Sequence, residues 1–170
     1  MDDHDCAMYL HLVGGVSRRM GWTCLAYCLM RNHLHLLLET PEPNLGDGMR
    51  RLHGTYAQTF NERYARTGHV FERRFNDRAV ESVRSILNVA TYIAANPVEA
   101  GMAARAEEWP WSSHAAVIAG DAPPWLAADR LHALLEAEGG QATQRYLEAL
   151  DQRVAAVEPA AGEPERPRPS

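Results

Sequence analysis

The chain has 170 residues and a 46% apolar content, enough for one domain with a real core, while three cysteines in no paired pattern argue against a disulfide scaffold. Net charge is −5, but residues 50–84 hold eight arginines against four acidic residues, a local balance of +4, so a nucleic-acid backbone is not excluded as a partner. The acidic, polar opening residues do not make a signal peptide, and no apolar run approaches the roughly 20 residues that span a bilayer, which leaves a reducing cytoplasm as the expected compartment.

Residues 7–20 read as a helix, because Leu10, Val13, Val16 and Met20 recur at helical spacing; Gly14 and Gly15 weaken it and Gly21 ends it. Residues 22–29 read as a strand with Trp22, Cys24, Ala26 and Cys28 on one face, the two cysteines being core residues. After the break at Arg31-Asn32, residues 33–39 make a second strand, able to pair with the first as a hairpin and stopped by Pro41 and Pro43. Asn44 then caps a helix reaching about Tyr64, with Leu45, Met49, Leu52, Tyr56 and Phe60 on its apolar face and Arg50 and Arg51 beside that face.

Residues 69–75 suggest a further strand. A helix follows from Glu81 or Ser82 to Asn96, striped by Val83, Ile86, Leu87, Ala90 and Ile93, which Pro97 ends or kinks. Residues 109–113 pack locally, 121–124 form a linker, and residues 129–137 and 143–157 read as helical. The chain thus divides into a domain over 1–120, a helical extension over 121–157 and a disordered tail over 158–170. It contains no lysine, so any phosphate clamp uses planar guanidinium groups.

Two short constellations carry chemistry. In a strand, residues two apart share a face, so His33 and His35 point the same way and can hold one divalent metal when both rings are neutral. Glu39 lies on that side too, as a supporting group or as the strand's polar end. In the later helix Tyr92 and Asn96 are four apart and share a face. An asparagine oxygen can be a third metal ligand, and a phenol beside it can attack a phosphate to give a covalent phosphotyrosine. Taken alone, each constellation also reads as ordinary structure: a polar strand edge, and a core tyrosine near a helix end.

Together the motifs resemble a known family. Residues 28–37, Cys-Leu-Met-Arg-Asn-His-Leu-His-Leu-Leu, are similar to its His-hydrophobic-His metal strand. Residues 92–101, Tyr-Ile-Ala-Ala-Asn-Pro-Val-Glu-Ala-Gly, are similar to its catalytic-tyrosine helix, and Trp109-Pro110-Trp111-Ser112-Ser113 to its closing segment. Residues 44–51 and 68–75 fill the middle in the expected order. On these motifs, spanning residues 9–120, the chain resembles the single-tyrosine transposases associated with repeated extragenic palindromes.

The resemblance implies an α+β, ferredoxin-like or RNA-recognition-like antiparallel sheet with helices on one face. It implies that His33, His35 and Asn96 bind Mg2+ or Mn2+ and that Tyr92 is the nucleophile, forming a 5′-phosphotyrosine and leaving a free 3′-hydroxyl. The implied substrate is single-stranded DNA containing a hairpin, with Arg73 and Arg74, then Arg50 and Arg51, as the phosphate contacts. No nucleotide cofactor and no membrane are implied; the setting is a bacterial cytoplasm, and a homodimer would let the tyrosine act across subunits.

Two departures from the family pattern stand out. Relatives carry, ahead of the first helix, a central strand beside the metal strand, and this chain goes almost straight into the helix. The expectation is therefore a sheet lacking that strand, with unpaired neighbours, a loosened site or a partner that supplies the strand. Ala94 stands where relatives often have histidine. A non-catalytic nucleic-acid-binding remnant of the same fold is the alternative function.

Overall fold

The structure, a computed structural model, describes residues 2–71 and 75–157. Its elements are α1 (Asp3–Met20), β1 (Thr23–Leu29), β2 (Leu34–Glu39), α2 (Leu45–Arg63), α3 (Val83–Glu99), a 3-10 turn (Ala106–Glu108), α4 (Ser113–Ala119), α5 (Ala128–Glu136) and α6 (Ala142–Ala155). The class is α+β, with a two-stranded antiparallel sheet among the described residues, as expected of a shortened ferredoxin-like fold.

The first helix starts earlier than its apolar spacing suggests. Asp2 accepts from the Asp5 amide and Asp5 from the Asp2 amide, a reciprocal cap that satisfies two otherwise orphaned donors. Gly21, at φ 70°, ends the helix in the left-handed conformation. Asn44 stands at the start of α2, but its side chain makes no helix cap. Instead it accepts from Trp22 Nε1 at 2.7 Å and donates to the Met20 carbonyl at 2.9 Å, tying α1, β1 and α2 at one corner.

β1 and β2 pair from Thr23–Glu39 to Leu29–Leu34, with one extra residue in β1 between Cys24 and Ala26. That bulge corrects the expected alternation. Cross-strand partners share a face, so Cys24, opposite Leu38, and Cys28, opposite His35, lie on opposite faces. Both cysteines are core residues, with no exposure.

α1 and α2 form the helical layer on one face, where Tyr9, Val13, Leu52 and Tyr56 pack with Leu34, Leu36 and Leu38. α3 covers the other face, with Ala90 and Ile93 against Ala26, Cys28, Met30 and Leu37. The outer edge of β1 is closed by the 109–113 segment: Leu29 N–H donates to the Trp111 carbonyl at 2.9 Å, and Tyr27 N–H to Ser113 Oγ at 3.0 Å. The other edge of β2 carries no strand among the described residues.

Two further expectations are revised. Residues 69–71 and 75 are not in a strand; Val70, Phe71 and Phe75 pack on the α1–α2 core, and residues 72–74 lie outside the described residues. Pro97 does not end α3, which runs to Glu99. Proline costs one helical hydrogen bond, and the buried packing around Ala94, Ala95 and Leu150 carries the helix past it. The expected tail over 158–170 lies outside the described residues. No helix among the described residues is long and apolar enough to cross a membrane.

Two histidines, one partly buried and one buried, lead to an expected pH dependence. His53 stacks on Phe71 at 4.2 Å, and His114 is buried beside Tyr146. Burial lowers the pKa of both, partly opposed at His114 by Glu107. The fold therefore favours their neutral forms. Their contribution is complete above the unfolded value of about 6.5 and is lost as pH falls below it. The melting temperature is expected to fall between about pH 7 and 5, and to fall less steeply in a His53→Gln, His114→Gln double variant. Equal slopes in the two proteins would refute this.

Candidate active site

His33 and His35 sit at the start of β2, on the face that α3 covers. His33 stands just before the strand and extends its pairing, since its carbonyl accepts from Met30 N–H at 2.8 Å. The flanking Leu34, Leu36 and Leu38 point into the α1–α2 core, which fixes the histidines to the opposite face. α3 begins at Ser82, whose hydroxyl accepts from Ser85 N–H at 3.2 Å, and docks on that face through Ile86, Val89, Ala90 and Ile93. This docking carries Tyr92 to the histidines.

The ring centroids of His33 and His35 are 4.8 Å apart, nearly perpendicular at 88°. Those of His35 and Tyr92 are 5.3 Å apart, edge to face at 78°. His35 Nε2 is shielded from solvent and has no hydrogen-bond partner among the described residues. A buried ring nitrogen without a partner is costly in a neutral fold and useful as a metal ligand. Burial, followed by the neighbouring His33, lowers the His35 pKa, while the adjacent Asn96 side chain opposes the shift. The balance favours the neutral imidazole, the form able to ligate a metal.

The other two expected ligands are also set up as donors of lone pairs. His33 is exposed, and its Nδ1 lies 2.7 Å from Asn32 Oδ1. A carbonyl oxygen only accepts, so this contact matches the neutral tautomer protonated on Nδ1, in which Nε2 keeps its lone pair. Asn96, 7% exposed, donates its amide Nδ2 to the Tyr92 carbonyl at 2.9 Å, which leaves Oδ1 as the available acceptor. Two imidazole nitrogens and one amide oxygen are groups that could ligate a divalent metal ion.

Glu39 is not part of this arrangement. It takes a two-point contact from Arg130 of α5, at 2.8 and 3.0 Å, and is the strand's polar end. Of the expected phosphate contacts, Arg50 and Arg51 are exposed on α2, across the sheet from the histidines, with Arg50 paired to Asp47. Arg73 and Arg74 lie outside the described residues. A separate group of ligand-type atoms, from Asp2, His4 and Asp5, falls within 4.8 Å. Its carboxylates are taken up by Arg63, Tyr64 and the cap of α1, so it reads as a helix anchor.

The sequence reading missed one charged neighbour. The Arg153 guanidinium, from α6, lies over the Tyr92 ring at 4.9 Å from its centroid. Its Nε donates to Glu99 of α3 at 2.6 Å. No local pattern announces this contact, because Arg153 is far from Tyr92 in sequence and only the packing of α6 on α3 unites them.

Comparison with known proteins gives two findings. Residues 2–96 match the family model described as transposase, IS200 like. The chain is also 28% identical over 104 residues to a Haemophilus influenzae protein named as a REP-associated tyrosine transposase, covering 52% of this chain. It spans 57% of that relative's length. No solved structure matches.

Proposed function

The chain belongs to the IS200-like transposase family, and from that premise we propose that it cleaves and rejoins single-stranded DNA at hairpin-containing sites through a phosphotyrosine at Tyr92. The observation that carries this reading is His35: its unpartnered Nε2 is buried where the rings of His33 and Tyr92 both approach it. His33, His35 and Asn96 would hold Mg2+ or Mn2+, which when bound supplies a positive charge that polarises a phosphoryl oxygen.

The remaining work falls to the chain's own groups. Tyr92 Oη attacks the phosphorus, the Oη–P bond forms, and the bond from phosphorus to the 3′-oxygen breaks. The phenol gives up its proton and the departing 3′-oxygen takes one up, leaving a free 3′-hydroxyl and a 5′-phosphotyrosine. The covalent ester conserves the energy of the broken phosphodiester, so rejoining to a second strand requires no nucleotide cofactor. Asn96, one helical turn after Tyr92 and bonded to its carbonyl, keeps the nucleophile and the ligand set on one rigid element.

The test is a denaturing gel for a covalent protein–DNA adduct, using hairpin-containing single strands from the flanking genome. An adduct is expected with manganese, absent with chelator, and lost in His33→Ala. Retained binding with no adduct under any metal would overturn cleavage and leave a non-catalytic nucleic-acid-binding module.

A further inference from the structure

We propose that Arg153 is a phosphate-binding residue of the Tyr92 site, contributed by α6 to grip the backbone of the strand being cut. The proposal rests on the transposase reading and goes beyond it, since Arg153 lies outside the family-matched segment, residues 2–96.

The placement begins with packing. Ala94 and Ala95 of α3 and Leu150 of α6 form a small buried core, with Val98, Tyr146 and Val154 around it. Alanines let the helices approach closely, and the approach fixes which α6 side chain meets Tyr92. That side chain is Arg153, at 4.9 Å from the ring centroid. Glu99 holds the guanidinium through Nε, at 2.6 Å. One donor is thereby used, and the guanidinium keeps its remaining N–H groups.

An ion pair this exposed, with Arg153 at 36% and Glu99 at 30%, contributes little to stability. Stability therefore gives a weak reason for holding a cation over this phenol. The chemistry gives a stronger one. A phosphodiester that reaches Tyr92 carries negative charge into a site beside a buried imidazole. A guanidinium stacked on the same phenol is within reach of its oxygens and matches them with paired donors. Arg153 also lines an open cleft of about 580 Å³ between α3 and α6, walled by Asn88, Thr91, Glu99 and Gln152.

Glu99 makes the proposal sharply testable. It competes with phosphate for Arg153, so neutralising it should tighten DNA binding only while Arg153 is present. The measurement is fluorescence anisotropy of a short labelled oligothymidylate, in chelator, across a salt series. The full chain carries Tyr92→Phe throughout, so no chemistry intervenes. Arg153→Gln is expected to weaken binding and to lower the slope of log affinity against log salt by about 0.7, the value for one phosphate contact on a single strand. Arg153→Lys should restore the slope without restoring full affinity. Glu99→Gln should strengthen binding, and the gain should vanish in the double variant with Arg153→Gln.

If the parent binds but Arg153→Gln leaves the slope unchanged and Glu99→Gln has no effect, this inference is overturned and the transposase reading stands. If the parent binds no single-stranded DNA, the transposase reading fails and this one with it. Should Arg153→Gln fail to fold, Arg153→Lys and Glu99→Gln still decide, because both keep the cation over the ring.

Discussion

Replacing Tyr92 with phenylalanine is expected to remove covalent adduct formation altogether, a loss of at least about 10³-fold, while binding of single-stranded DNA stays within about twofold. The change deletes one oxygen. The ring remains to receive the edge contact from His35 at 5.3 Å and the Arg153 guanidinium at 4.9 Å. Folding and strand capture should therefore survive. The comparison to make is adduct yield and anisotropy on the same preparations. An adduct that persists in Tyr92→Phe would assign the nucleophile elsewhere. A collapse of binding would mean that the phenol oxygen holds DNA instead of attacking it.

The second expectation concerns two adjacent glycines of α1 that should respond in opposite directions. A Cβ on Gly15 meets nothing within 4 Å, and Gly15→Ala should stabilise the protein by roughly 0.5–1 kcal/mol through helix propensity. A Cβ on Gly14 would lie 2.3 Å from Trp125 Cδ1, closer than atoms tolerate. The Trp125 indole packs on the α1 core and beside Tyr27, whose ring lies 5.1 Å away, so a Cβ on Gly14 would force it out of that seat. Overpacking of this kind costs about 1–3 kcal/mol, which exceeds the propensity gain. Gly14→Ala should therefore melt lower than the parent by a few degrees and Gly15→Ala higher, at about 2–4 °C per kcal/mol for a chain of this size. Thermal melts of the two single variants check this. Equal shifts would show that Trp125 does not seat against α1 in solution.

The elements and their chemistry-bearing residues were largely legible in the sequence, because local periodicity determines them. Two-residue spacing was enough to put His33 and His35 on one face, four-residue spacing to align Tyr92 with Asn96, and apolar stripes to mark the helices. Single signals misled where packing overrides local preference. The bulge after Cys24 separates Cys24 from Cys28, because one extra residue inverts every later side chain. Asn44 gave up its cap to join Trp22 with Met20. α3 passes through Pro97, since its buried neighbours offset one missing hydrogen bond.

What the sequence by itself determined is the inventory: an α+β chain, a histidine pair on a strand, a tyrosine and an asparagine on one helix face. What only the tertiary structure decided is who meets whom across the chain. The sheet faces bring His35 to Tyr92, Gly14 to Trp125, and, through α6, Arg153 to the tyrosine. Those meetings depend on how whole elements dock. Docking is fixed by the summed shape of many small contacts, which no short window of residues encodes.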